Sequence, residues 1–182
     1  METAVKYDEC APTTAPDATP LPLRFIAEGE LALLVKLLRC LGLDCLYDGG
    51  TSLPTAISRA TAEGRILLTL KPVADTRQLK VVRVPSSSPE AQLAAVSGSI
   101  PLWDNSAPFT RCLVCNELLT WEPNPPPGSV PERVRKRPTI FHRCPGCGRI
   151  YWAGTHVDRL RRRLAQAGML PPTVHRPLTI DH

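Results

Sequence analysis

Four cysteines carry the clearest chemistry in this chain. Cys112 and Cys115 stand in RCLVCN, and Cys144 and Cys147 stand in RCPGCGRIYW. Two residues separate the members of each pair, so both thiolates can face one ion from a tight turn. Two such turns brought together make the closed tetrahedral thiolate cage that a structural zinc prefers. The 28 residues between the pairs (116–143) are rich in proline and exceed the commonest spacing of roughly 15–20. Four free thiols or two disulfides are the alternatives. A disulfide between cysteines three apart is strained, and the N-terminus shows no secretory pattern. The expectation is a structural Zn²⁺ held by all four.

The cysteine-bearing half is also the basic half. Residues 1–110 hold 10 Lys and Arg against 12 Asp and Glu (net −2), whereas residues 111–182 hold 12 against 5 (net +7). A basic surface beside a zinc module suggests a polyanionic partner, most often nucleic acid. A solvated basic face that binds nothing is the plainer reading. The candidate phosphate contacts are Arg133, Arg135, Lys136 and Arg137 in one cluster, and Arg159, Arg161, Arg162 and Arg163 in the other. Arg162 and Arg163 follow Arg159 by three and four residues, so the three can share a helix face. Tyr151 and Trp152 can stack on unpaired bases, or simply fill the module's small core.

The remaining thiols are Cys10, Cys40 and Cys45, an odd number that fits a reducing compartment. LALLVKLL is interrupted by Lys36 and falls far short of the roughly 20 residues that a membrane span needs. Cytoplasm or nucleus is the expected location, with no membrane partner.

Elements to position these residues can be read from periodicity. Residues 1–22 read as a disordered tail. LRFIAE (23–28) reads as a buried strand that ends in Glu28. Leu31, Leu34, Val35, Leu38 and Leu41 then form one stripe of an amphipathic helix, stopped by Gly42. A short strand and turn follow at 44–50. Leu53 to Glu63 reads as a helix closed by Gly64, and RILLTL (65–70) and QLKVVRVP (78–85) as strands. SSSPEAQLAAV opens a helix with a serine cap and Pro89 near its start. This order predicts an α/β layer over 23–100 with a mostly parallel sheet. Ligands of such sheets bind off the carboxyl ends of the strands, so Glu28, Asp48 and segment 69–71 should converge. Residues 101–109 read as a linker. Residues 110–168 read as a ribbon with strands near 118–121, 139–142 and 149–152, followed by a helix whose Thr155 can cap it. Residues 169–182 read as a loose tail.

The segments RFIAEGELALLVKLLRCLGLD, EGRILLTL, RCLVCNELL and CPGCGRIYWAGTHVDRL together resemble the Mut-seven C-terminal RNase domain family. The resemblance runs from about Arg24 to Leu164. It implies a PIN-like α/β domain followed by a four-cysteine zinc ribbon, and a metal-dependent ribonuclease activity. Such nucleases gather carboxylates at strand ends to hold Mg²⁺ or Mn²⁺, which activates a water and stabilises charge on the attacked phosphate. Glu28 stands where the family usually has aspartate. Thr69, Leu70 and Lys71 stand where it usually has Thr-Arg-Asp, and TSLPTAISRA lacks the aspartate usual at the head of the second helix. Asp44, Asp48 and Asp75 remain as partners for Glu28, each of which reads equally as a turn-capping or solvated acid. His156 matches a family position and can serve as a phosphate contact or general acid–base, or can hold the terminal helix against the ribbon. The catalytic candidates are therefore Glu28, Asp48 and His156. Two functions remain open: a metal-dependent ribonuclease, and a pseudo-nuclease that binds RNA or a protein partner without cutting.

Overall fold

A computed structural model describes residues 22–47, 49–50, 52–137, 139–166 and 168, with the backbone alone at residues 155 and 156. The expected tails at 1–21 and 169–182, and Asp48, lie outside the described residues.

Four short strands form a parallel sheet in the order β2-β1-β3-β4: β1 is Arg24–Ala27, β2 is Asp44–Leu46, β3 is Ile66–Thr69 and β4 is Val81–Arg83. Side chains alternate across the sheet, and each face has its own apolar cluster. Phe25, Ala27, Leu68 and Val82 pack with α1 (Ala32–Cys40), α3 (Pro89–Ser99) and α5 (Thr155–Gln166). Ile26 and Leu67 face the other way, onto Ala56 and Ala60 of α2 (Leu53–Glu63). The leucine stripe of α1 is the deepest part of the core, with Leu34 and Leu38 fully buried. Ser52 caps α2 by accepting from the Thr55 N–H, and Gly64 ends the helix in the left-handed region at φ +60°. Ser88 caps α3 in the same way. The terminal helix α5 seats Leu164 in this core rather than against the ribbon, and its Arg163 reaches Glu90 of α3 at 2.6 Å.

The chain moves from β1 outward to β2 and then crosses back to β3 on the other side of β1. The carboxyl ends of β1 and β3 therefore flank the point where strand order reverses, the place where such sheets open a crevice.

The ribbon is an antiparallel sheet of β5 (Thr120–Trp121), β6 (Phe141–Arg143) and β7 (Ile150–Trp152), in that order. A one-turn helix, α4 (Glu132–Arg135), lies in the β5–β6 loop, where proline density gave no sign of an element. The first ribbon strand is shorter than its apolar run, because Leu118 makes only an isolated bridge with Arg111. Residues 101–109, expected as a linker, are hydrogen-bonded to the end of α1: the Ala107 and Phe109 N–H groups donate to the carbonyls of Leu41 (2.9 Å) and Cys40 (2.8 Å). This approach requires Gly42, which sits at φ +81°; a Cβ there would lie 2.1 Å from the Ala107 carbonyl oxygen. Among the described residues, no helix is long and apolar enough to cross a membrane.

Candidate functional site

The two cysteine pairs sit on matching turns. In the first, the Asn116 N–H donates to the Cys112 carbonyl (3.2 Å) and the Cys112 N–H to the Glu117 carbonyl (2.8 Å). In the second, Gly148 donates to Cys144 (2.9 Å) and Cys144 to Arg149 (2.9 Å). The residue after each second cysteine adopts the left-handed conformation, Asn116 at φ +74° and Gly148 at φ +73°. Asparagine is among the few residues other than glycine that tolerate it. Together these turns place the four sulfurs within 4.8 Å of one another. Cys112 Sγ lies 3.6 Å from Cys147 Sγ, and Cys115 Sγ lies 3.2 Å from Cys144 Sγ. A tetrahedron of metal–sulfur bonds of about 2.3 Å has edges of about 3.8 Å, so the cluster is of the size that one ion requires. Among the described residues this is the one group of three or more potential ligands that converges on a point.

Neighbouring donors prepare the sulfurs. The N–H groups of Val114 and Cys115 point at Cys112 Sγ (3.4 and 3.5 Å), and the Cys147 N–H points at Cys144 Sγ (3.4 Å). The Tyr151 hydroxyl reaches Cys112 Sγ at 3.1 Å while accepting from the Leu113 N–H. Burial pushes the Cys112 thiol up, but these donors outweigh it and bring it to about 6. Burial keeps Cys144 up, at about 12. Tyr151, a base-stacking candidate on sequence, thus spends its polar end on a metal ligand, and its ring packs on the cysteine cluster.

The first turn is also bolted to the parallel sheet. β2 is an edge strand, and the N–H and C=O of Cys45 point away from β1. The N–H donates to Asn116 Oδ1 (3.0 Å), and the carbonyl accepts from Arg39 Nε (3.0 Å) and Nη2 (2.8 Å). Arg39 Nη1 continues to the carbonyls of Leu113 (3.2 Å) and Val114 (2.7 Å), inside the cysteine turn itself. Asn116 Nδ2 donates to Asp44 Oδ1 (2.7 Å), which also accepts from Arg65 Nη1 (2.9 Å). Arg111 bridges the Gly42 and Asn116 carbonyls. Burial lowers the pKa of Arg39, while nearby thiols raise it; even so, the guanidinium keeps its charge at neutral pH. Sequence reasoning missed this bridge, and Asp44, weighed there as a metal partner, is committed to it at the amino end of β2.

Glu28 lies at the opposite, carboxyl end of the sheet. The register that pairs Ala27 with Leu68 sets it beside Thr69. Its carboxylate is buried and supplied from within the chain. Oε1 accepts from the Thr69 hydroxyl (2.8 Å) and the Leu70 N–H (2.6 Å), and Lys71 Nζ stands 3.8 Å from Oε2. Thr69 is in turn held by the Lys71 N–H (3.0 Å). Segment 69–71 thus meets Glu28 as expected. Asp75 accepts from the Val81 N–H at 2.5 Å and fixes the approach to β4. Asp48, and the side chain of His156, lie outside the described residues.

The basic residues divide by environment. Arg135 Nη2 donates to the Pro125 (2.8 Å) and Pro126 (2.7 Å) carbonyls, closing the β5–β6 loop on itself. Arg161 lies 5.2 Å from the Phe109 ring centroid, and Arg163 pairs with Glu90. Lys136 is 3.5 Å from Glu132 in an exposed pair, and Arg162 Nε donates to the Asp158 carbonyl (3.4 Å). Arg133, Arg137 and Arg159 are exposed. Trp152 is half-buried, edge-on to Phe141 with centroids 6.5 Å apart.

A parallel sheet with helices on both faces, followed by a four-cysteine ribbon and a terminal helix, is the architecture expected of a PIN-like nuclease domain with its zinc module. The family model described as the Mut7-C RNAse domain matches residues 23–164, and the chain belongs to that family. No curated protein and no solved structure matches it.

Proposed function

We propose that this protein binds RNA through its basic cysteine-bearing half, with a structural Zn²⁺ in the four-cysteine site and no divalent ion at Glu28. The zinc reading rests on the donor set: four thiolates on tetrahedral spacing suit Zn²⁺ and not a hard ion. The RNA reading rests on membership of a ribonuclease family and on the +7 balance of residues 111–182.

The observation that carries the non-cutting reading is the Glu28–Lys71 pair. Mg²⁺ and Mn²⁺ need several oxygen ligands with free lone pairs. Here the described carboxylate accepts two hydrogen bonds on Oε1 and faces an ammonium group beyond Oε2. That cation repels a second one. The described residues at this strand end do not fit a catalytic divalent ion, so no hydrolytic step is derived through it. The competing reading, metal-dependent cleavage using Glu28 with Asp48 and His156, is favoured by the family and by the position of Glu28 where the strand order reverses.

The test is incubation of the purified protein with single-stranded and structured RNA and Mn²⁺ or Mg²⁺, beside Glu28→Ala. The expected result is salt-sensitive binding without cleavage, since each neutralised phosphate releases counterions. Metal-dependent cleavage lost in Glu28→Ala would overturn the non-cutting reading. Absence of binding at low salt would overturn the RNA reading.

A further inference from the structure

Arg39 is a buried cation without a carboxylate. It is 3% exposed, and every hydrogen bond it donates ends on a carbonyl. None of the ion pairs among the described residues includes it. A buried charge is costly unless an opposite charge compensates it. The carbonyls that Arg39 holds in the first cysteine turn point to that compensation. The Leu113 C=O and the Val114 N–H are two ends of one peptide group, as are the Val114 C=O and the Cys115 N–H. Arg39 Nη1 takes both carbonyls, at 3.2 and 2.7 Å. Both N–H groups are directed at Cys112 Sγ, at 3.4 and 3.5 Å. Hydrogen bonds in such a chain polarise one another, so a cation on the oxygen makes the N–H of the same peptide a stronger donor. The Tyr151 hydroxyl, which accepts from the Leu113 N–H, reaches the same sulfur. A divalent ion bound by four thiolates keeps two uncompensated negative charges, and Arg39 stands one peptide group away from the ligand sulfur.

We propose that Arg39 is the internal counter-ion of the metal–tetrathiolate cluster: its charge acts on the Cys112 sulfur through the Leu113–Val114 and Val114–Cys115 peptide groups and tightens the hold on the ion. This rests on the zinc reading above and adds to it a residue that sets affinity. The role is separable from anchoring. The Asn116 side chain ties the same turn to β2 without touching either peptide group.

The test compares the full-length wild type, Arg39→Met and Asn116→Gly, with Zn²⁺ affinity measured by competition against a chelator in the absence of denaturant. Glycine suits the left-handed backbone that residue 116 adopts at φ +74°. Arg39→Met is expected to weaken zinc binding about 10–100-fold, the usual effect of losing an outer partner of a metal ligand. Asn116→Gly should show only a small part of that loss. In the cobalt-loaded proteins, the thiolate-to-metal charge-transfer band should move to lower energy in Arg39→Met alone, because a thiolate with weaker donors gives up an electron more easily. One measurement needs no variant to fold. In the wild type loaded with a spin-active cadmium isotope, the Val114 and Cys115 amide protons should show scalar coupling to the metal across their N–H···S bonds. Absent couplings, or an Arg39→Met affinity and band like the wild type's, would overturn the proposal. Equal weakening in both variants would also overturn it, since anchoring alone would then account for Arg39. A wild type that holds no metal would instead overturn the zinc reading.

Discussion

Arg39→Met removes the guanidinium that joins the parallel sheet to the first cysteine turn while keeping most of the buried stem. The Cys45 carbonyl, on the outer edge of β2, loses both of its donors. A charge-assisted bond to a buried carbonyl contributes about 1.5–3 kcal/mol. The bonds to Leu113 and Val114 are only partly buried, and together add about 1–2 kcal/mol. Relief of the guanidinium's own burial offsets part of the sum, leaving a loss of about 2–4 kcal/mol. With a urea slope of about 2 kcal/mol/M, the unfolding midpoint should fall by about 1–2 M. Circular dichroism and release of the proposed zinc to a coloured chelator should report the same shifted transition, because the lost bonds span both halves. Arg39→Lys should recover little, since an ammonium group cannot serve two sites at once. A loss below about 0.5 kcal/mol, the range of ordinary surface substitutions, would refute the claim that Arg39 couples the sheet to the metal turn. So would zinc release at lower urea with no change in the sheet's own transition.

Two further outcomes are expected. Cys144→Ser should release the metal and unfold the ribbon, because binding energy at such sites is folding energy; unchanged zinc content and thermal stability would show that the four sulfurs do not share an ion. The Arg163 hydrogen bond holds the Glu90 carboxyl below its ordinary value near 4.5, so this pair contributes stability above that pH and loses it as pH falls through the folded value. Because both side chains are about a third exposed, Glu90→Gln should cost only about 1 kcal/mol or less at pH 7. The gap between wild type and variant should close on acidification, and a gap constant down to pH 3 would remove the pair from the account.

What could be read from the sequence was what local pattern specifies. The leucine stripe of α1, both ends of α2 and the spacing of the cysteines each carry their geometry in neighbouring residues. Glu28 and segment 69–71 were brought together by a rule about strand ends, and the structure places them in contact. The bridge at β2 was not legible. Arg39 bonds to backbone carbonyls 74 and 75 residues away, and a carbonyl has no residue type to give it away. Asn116 did leave a trace, since it replaces the glycine found at the matching place in the second turn, Gly148. A residue that tolerates the left-handed backbone and also carries an amide stands where the backbone alone would be served by glycine, and its amide bonds Cys45 and Asp44. The folded β5–β6 loop was hidden by its prolines, which read as irregular chain although Arg135 and α4 give it a fixed shape.

The pairing of Cys45 with Arg39 and Asn116 has a consequence for how the molecule coexists with its own copies. An uncovered edge strand is a template onto which another chain can add a strand. Here the cover is the first cysteine turn instead of a further strand. If loss of an ion from the four cysteines loosened that turn, the strand edge left bare would be Cys45–Leu46 of the main sheet, and self-association would compete with refolding.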